Sequence, residues 1–219
     1  MTGRRAFLAS AAALALAGGP VSARPLPRIL AFGDSLTAGY GLAAGEGLVP
    51  VLSDWLAEHG QPARIVNGGL SGETTYGGRV RIGWSLRRGA DAVMVELGGN
   101  DMLAGFPPAQ AEANLDAILT RAGAGGRPVL LVGIRSPARD RATQQEWAAI
   151  WPRLARRHGT LLWPDLYAPI AALAPDRRGA MLQADGLHPS AAGVRLIVQA
   201  LGPSVLALIA RLPAARRTL

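Results

Sequence analysis

The sequence predicts an α/β protein built on a five-stranded parallel sheet with helices on both faces. Two patterns carry that prediction. Short, nearly continuous apolar runs alternate with amphipathic helical stretches along the chain. The runs are too uniformly apolar for a sheet with one wetted face, so both faces are covered, and the alternation is that of crossover units. Bulk properties agree. A chain of 219 residues can bury a substantial core as one domain, and 49% hydrophobic with 17% charged residues excludes a disordered or fibrous protein. The 28 glycines and 16 prolines supply many tight turns between short elements.

The elements follow in order. Residues 28–33 (RILAFG) form an apolar run closed by Gly33, a buried strand. An amphipathic helix is expected over Leu48–His59, and a second strand over Ala63–Asn67. Thr74–Arg88 has helical spacing, although Gly77-Gly78 weakens its start. Ala90–Leu97 is a third strand, and Pro108–Ala122 a helix with proline in its first turn. Pro128–Gly133 is a fourth strand, Thr143–His158 a helix, Thr160–Trp163 a short fifth strand and Pro189–Ala210 the last helix. No repeat, linker or second domain interrupts residues 24–219.

Residues 1–23 read as an address. Arg4-Arg5 precedes an Ala- and Leu-rich run, a Gly-Gly-Pro break, and small residues ending at Ala23. These are the regions of a cleavable secretory leader, and the R-R-x-F-L pattern resembles a twin-arginine signal. A periplasmic or secreted location is expected. No later run of 18 or more apolar residues appears, so no stable membrane insertion is expected once the leader is removed.

Residue usage excludes much chemistry. All 23 basic residues are arginine, and cysteine is absent. That removes P-loop lysines, Schiff bases, thiol nucleophiles and thiolate metal sites. The net charge of +8 falls to +6 without Arg4 and Arg5. The arginines are scattered and no basic stretch is interleaved with aromatics, so nucleic-acid binding is not expected. Of the three histidines, His59 and His158 each precede a glycine at a predicted helix end, which is ordinary helix termination. His188 is left for chemistry.

Ligands of open parallel sheets bind beyond the carboxyl ends of the strands. The first strand runs into Gly33-Asp34-Ser35-Leu36, the second into Asn67-Gly68-Gly69-Leu70-Ser71-Gly72, and the third into Gly98-Gly99-Asn100-Asp101. Asp185-Gly186-Leu187-His188 stands just before the last helix. Each segment alone is ordinary turn or cap composition. Their joint occurrence, each after the right element, is not.

These four blocks resemble those of the SGNH (GDSL) hydrolase family, and the bacterial arylesterase and thioesterase–lysophospholipase branch in particular. The longer stretches 33–41 and 97–101 carry that closer likeness, and the resemblance covers essentially all of residues 24–219. It implies a three-layer α/β/α sandwich of flavodoxin-like type. It implies Ser35 as nucleophile, His188 as general base and Asp185 as the carboxylate orienting it. An oxyanion hole would comprise the Ser35 and Gly72 backbone N–H groups and the Asn100 amide. Asp34 would hold the turn around Ser35. Asp34, Met102, Leu103, Ile134, Pro137 and Leu187 are expected around the substrate pocket. No metal or cofactor is implied.

Two departures stand out. Gly68-Gly69 replaces the Ala-Ser common in relatives, which is expected to loosen the loop before Gly72. Ser136–Arg141 replaces the usual Asn-Tyr-Gly, which affects chain-length and leaving-group preference. The expected activity is that of an exported serine esterase acting on small-molecule esters, thioesters among them, with short to medium acyl chains. Carbohydrate O-acetyl esterase and lysophospholipase are alternatives. Arg139 and Arg141 are candidates to meet a phosphate. A periplasmic binding protein with a decayed site is the non-enzymatic alternative, opposed by the full set of site residues.

Overall fold

The computed structural model describes residues 25–137 and 140–214; residues 1–24, on which the expected leader falls, Ala138-Arg139 and residues 215–219 lie outside the described residues. Five strands, β1 (Arg28–Gly33), β2 (Arg64–Gly69), β3 (Ala92–Glu96), β4 (Val129–Val132) and β5 (Leu161–Trp163), form one sheet in the order β2-β1-β3-β4-β5. Every pairing is parallel. The long helices are α2 (Leu48–Glu58), α3 (Thr75–Ser85), α5 (Pro108–Ala122), α6 (Arg141–His158) and α9 (Ala191–Ala210). Four short ones are α1 (Ser35–Ala38), α4 (Gly99–Leu103), α7 (Ala168–Ala171) and α8 (Pro175–Arg178).

Strand pleat divides the core in two. Ile29, Ala31, Ala92, Met94, Leu130 and Val132 face α2 and α9. The alternate residues Leu30, Phe32, Val93, Val95, Val129 and Leu131 face α3, α5 and α6. The sheet is thus buried on both faces, as its continuous apolar strands predict. Among the described residues, only α9 is long and apolar enough to cross a membrane. Arg195 and Gln199 interrupt its apolar sequence, so it holds no unbroken run of 18 apolar residues. Half of that stretch is buried here, with Val194, Ile197, Val198, Leu201 and Val205 in the core.

Register positions the site. Gly33 pairs with Gly69 on one side and Glu96 on the other, so three strands end level. Chain order reverses around β1, since β2 lies on one side and β3 on the other. The crevice at that reversal is where open α/β sheets bind ligands.

β1 and α5 have the expected bounds, and the other expected strands and helices differ by at most three residues at an end. The short helices are the real difference. The turns expected at Ser35 and Asn100 are single helical turns, and α7 and α8 were not expected. Asp34 starts α1 by accepting a hydrogen bond from the Leu36 amide, a cap that a four-residue element shows only weakly in sequence. His59 is the C-cap of α2, and His158 ends α6 before a left-handed Gly159. His158 also meets Asp116 at 2.9 Å, and the His59 ring stacks on Trp55.

Candidate active site

Ser35 opens α1 directly after β1, and is 9% exposed. Close packing produces this turn. A Cβ on Gly33 would run into the Thr37 hydroxyl and the Glu96 carboxyl, so only glycine fits. The expected loosening at Gly68-Gly69 is not found. Gly69 lies so close to α1 that a Cβ would meet the Ala38 backbone. Asn67 ties the same contact, accepting from Gly69 N at 2.9 Å and donating to Ala38 O at 3.3 Å.

Gly72 follows two residues after Leu70, whose amide donates to Gly33 O at 3.0 Å. Its φ of 80° is left-handed, which favours glycine. The loop is anchored behind it. Glu73 is buried and forms a bidentate pair with Arg81 of α3, whose guanidinium also lies 4.2 Å from the centre of the Phe32 ring. Asn100 of α4 donates to Glu73 O at 2.9 Å and to Asp34 Oδ2 at 3.1 Å. Asp101 holds α4 in place by accepting from Thr75 N at 2.8 Å and from its hydroxyl at 2.5 Å. Three strand-end loops thus converge on Ser35.

His188 reaches the same point from the opposite rim. Its Nε2 lies 2.8 Å from Ser35 Oγ, and its Nδ1 lies 2.6 Å from Asp185 Oδ2. Asp185 Oδ1 accepts from the amides of Leu187 at 2.9 Å and His188 at 3.0 Å, closing a turn through left-handed Gly186. Gln183 straps the loop down, donating to Tyr40 O and Pro189 O, while its own amide donates to His188 O. Tyr167 Oη donates to Leu187 O at 2.8 Å, and the Tyr40 ring sits 4.7 Å from the imidazole.

A cleft of about 540 Å³ opens over these groups. Asp34, Met102, Leu103, Ile134, Pro137 and Leu187 are among the residues that line it. A second cleft of about 440 Å³ adjoins it across Met102, Leu103, Ser136 and Pro137. Arg141 opens α6. A sequence model of the GDSL-like lipase/acylhydrolase family matches residues 31–196. The chain belongs to that family. It is 34% identical to esterase TesA of Pseudomonas aeruginosa over 83% of this chain and 89% of that protein. It is 36% identical to thioesterase 1/protease 1/lysophospholipase L1 of Escherichia coli over 74% of this chain and 75% of that one. Among solved structures, the SGNH-hydrolase family esterase AlinE4 superposes with a TM-score of 0.68 at 40% identity, over 83% of this chain and 96% of that one. Membership places the chain among ester-cleaving hydrolases.

The acids around this GDSL-type site have opposite environments. Burial lifts the Asp34 carboxyl to about 6, against the Leu36 amide bond that lowers it. Glu96, fully buried on β3 beneath the Ser35 turn, is raised well above the ordinary glutamate value by burial and then by Asp34. Asp185 is lowered to about 2, first by the hydrogen bond with His188 and then by the two loop amides. Sequence reading missed Glu73, Arg81, Tyr40, Gln183, Tyr167 and Glu96. Only Glu96 left a signal: an acid inside the apolar run of residues 92–97.

Proposed function

We propose that this chain is an exported serine esterase that hydrolyses carboxylic esters and thioesters of short to medium acyl chains. The observation that carries this reading is the Ser35–His188–Asp185 line, 2.8 and 2.6 Å between heavy atoms, at the floor of a cleft lined by Leu36, Ile134, Ile170, Leu182 and Leu187. A sugar-borne acetyl group calls for convergent polar partners instead, so the apolar lining favours an acyl chain.

In this reading Asp185 holds the imidazole with its proton on Nδ1, leaving Nε2 to accept from the Ser35 hydroxyl. Ser35 Oγ attacks the acyl carbon and its proton passes to Nε2. Negative charge then develops on the carbonyl oxygen. The Ser35 and Gly72 N–H groups receive it, and Asn100 shares with it the amide hydrogen that bonds Asp34, the longer of its two contacts. The tetrahedral adduct collapses, His188 returns the proton to the departing oxygen or sulfur, and an acyl-Ser35 ester remains. Water, deprotonated by the same imidazole, releases the acid and restores Ser35. Export rests on the leader read in residues 1–23.

Initial rates on p-nitrophenyl esters of increasing length, acyl-CoA, a lysophospholipid and an acetylated sugar test the reading in wild type and Ser35→Ala. Wild type turns over short and medium esters and the variant none. Full turnover by the variant removes the triad, and preference for the acetylated sugar removes the acyl-chain assignment.

A further inference from the structure

Of the nine large apolar side chains exposed among the described residues, Tyr40, Leu103 and Leu187 line the cleft and Phe106 lines its neighbour, while Leu26 and Leu70 stand singly. Substrate accounts for those at the clefts. The outward face of α3 has no such account. This helix buries Thr75, Gly78 and Ile82. Tyr76, Val80 and Trp84 repeat at four-residue spacing, which at 3.6 residues per turn sets them on the side away from that buried face. They are 55%, 66% and 60% exposed. A surface helix normally turns polar residues outward, so apolar side chains on both faces mark a contact.

The surroundings select the partner. Residues 74–90 contain no acid. The Arg79 guanidinium lies 5.6 Å from the Tyr76 ring centre and that of Arg87 lies 5.9 Å from the Trp84 ring centre. Arg88 is exposed beside it, and Arg121 of α5 donates to Arg79 O. The nearby acids Glu112 and Asp116 are engaged by Arg153 and Arg157 of α6. Tyrosine and tryptophan rimmed by arginine suit the boundary between apolar and wet layers. A second copy of the chain would bring like charges together across a two-fold contact. Three side chains along roughly 12 Å of helix also offer far less than the area a stable protein interface buries.

We propose that the outward face of α3 docks the protein on an anionic lipid surface, with Tyr76, Val80 and Trp84 entering the interface and Arg79, Arg87, Arg88 and Arg121 meeting the headgroup phosphates. α3 begins just after the Gly72 loop, so docking holds the cleft near the membrane from which lipid acyl esters come. The inference stands independently of the esterase reading, because binding is measured without turnover.

The test is co-sedimentation of the full chain with phosphatidylcholine vesicles, with and without phosphatidylglycerol. Any contribution from residues 1–23 is common to all variants. Wild type should partition onto the phosphatidylglycerol vesicles and release in high salt. Tyr76→Ser/Val80→Ser/Trp84→Ser and Arg79→Glu/Arg87→Glu should each lower partition at least about tenfold. Circular dichroism and unchanged turnover of a soluble p-nitrophenyl ester report intact folding. Partition that is equal in the variants, indifferent to phosphatidylglycerol or absent in wild type overturns the proposal. So does a wild-type dimer that the triple variant makes monomeric, which would assign the face to a second copy.

Discussion

Asp34 and Asp185 flank the same Ser35–His188 hydrogen bond, and they are opposite kinds of aspartate. Asp185 sits on an exposed loop and accepts three hydrogen bonds, from the His188 ring and the amides of Leu187 and His188. Those bonds favour the charged form and hold its carboxyl near 2. Asp34 is 2% exposed, and burial outweighs its bond from the Leu36 amide, placing it near 6. Environment thus splits two identical carboxyls: one stays anionic beside the imidazole and the other is held closer to neutral under the Ser35 turn. The lesson is that the permanent charge sits on the carboxylate that bonds the imidazole, and the turn at Ser35 is built on groups that tolerate burial.

The largest effect comes from the anionic side. Asp185→Asn replaces an acceptor with an amide that can present hydrogens to Nδ1, which favours the wrong imidazole tautomer. Turnover of a p-nitrophenyl ester should fall about 10³–10⁴-fold with little change in KM. A loss under tenfold would mean that Asp185 does not set His188. The low pKa also fixes a sign. A carboxyl depressed in the fold stabilises above its ordinary value near 3.8, and that contribution disappears only as pH falls toward about 2.

The buried side gives a smaller loss of turnover and the opposite pH dependence of stability. In Asp34→Asn the amide cannot both accept from Leu36 N and accept from Asn100, so one of two hydrogen bonds fails. Turnover should fall roughly tenfold, the cost of about one hydrogen bond. Stability should move with pH. An acid raised in the fold contributes stability below its ordinary value near 3.8 and loses it as pH rises through about 6. Wild type therefore loses stability relative to Asp34→Asn across that window. Melting temperatures taken on both sides of it check this, and a constant difference between the two proteins would contradict it.

The two aspartates also differ in how legible they were. Ser35, Gly72 and Asn100 lie in short motifs at strand ends, where sequence position already implies proximity, and Asp185 and His188 share one short motif before the last helix. The five strands and their parallel arrangement were legible because each apolar run is continuous and each crossover long enough for a helix. Asp34 could be read as a turn-holder, but its bond to Asn100 could not, because 66 residues separate the partners. The Glu73–Arg81 pair was hidden for another reason: an acid and an arginine eight residues apart straddle a loop and a helix and match no helical spacing. Short helices such as α7 and α8 were missed because four-residue elements carry almost no periodicity.

Glu96 gives the smallest effect and the sharpest view of the buried side. Its Oε2 accepts from the Thr37 hydroxyl at 2.8 Å, while its Oε1 is buried without a hydrogen-bond partner among the described residues. A carboxylate with one orphaned oxygen in full burial would be strongly destabilising, so the side chain belongs there as the neutral acid, consistent with its raised pKa. Gln is neutral and nearly the same shape, and its carbonyl oxygen can take the Thr37 bond. Glu96→Gln should therefore change turnover by no more than about threefold, well under 1 kcal/mol of barrier. Wild type should lose stability as pH rises from the ordinary value near 4.5 through the raised one, and the variant should not, so the variant becomes relatively more stable at alkaline pH. Turnover lost by more than tenfold with an unchanged melting temperature would mean that Glu96 works as a charge, and the division between the exposed anion and the buried acids would fail at that residue.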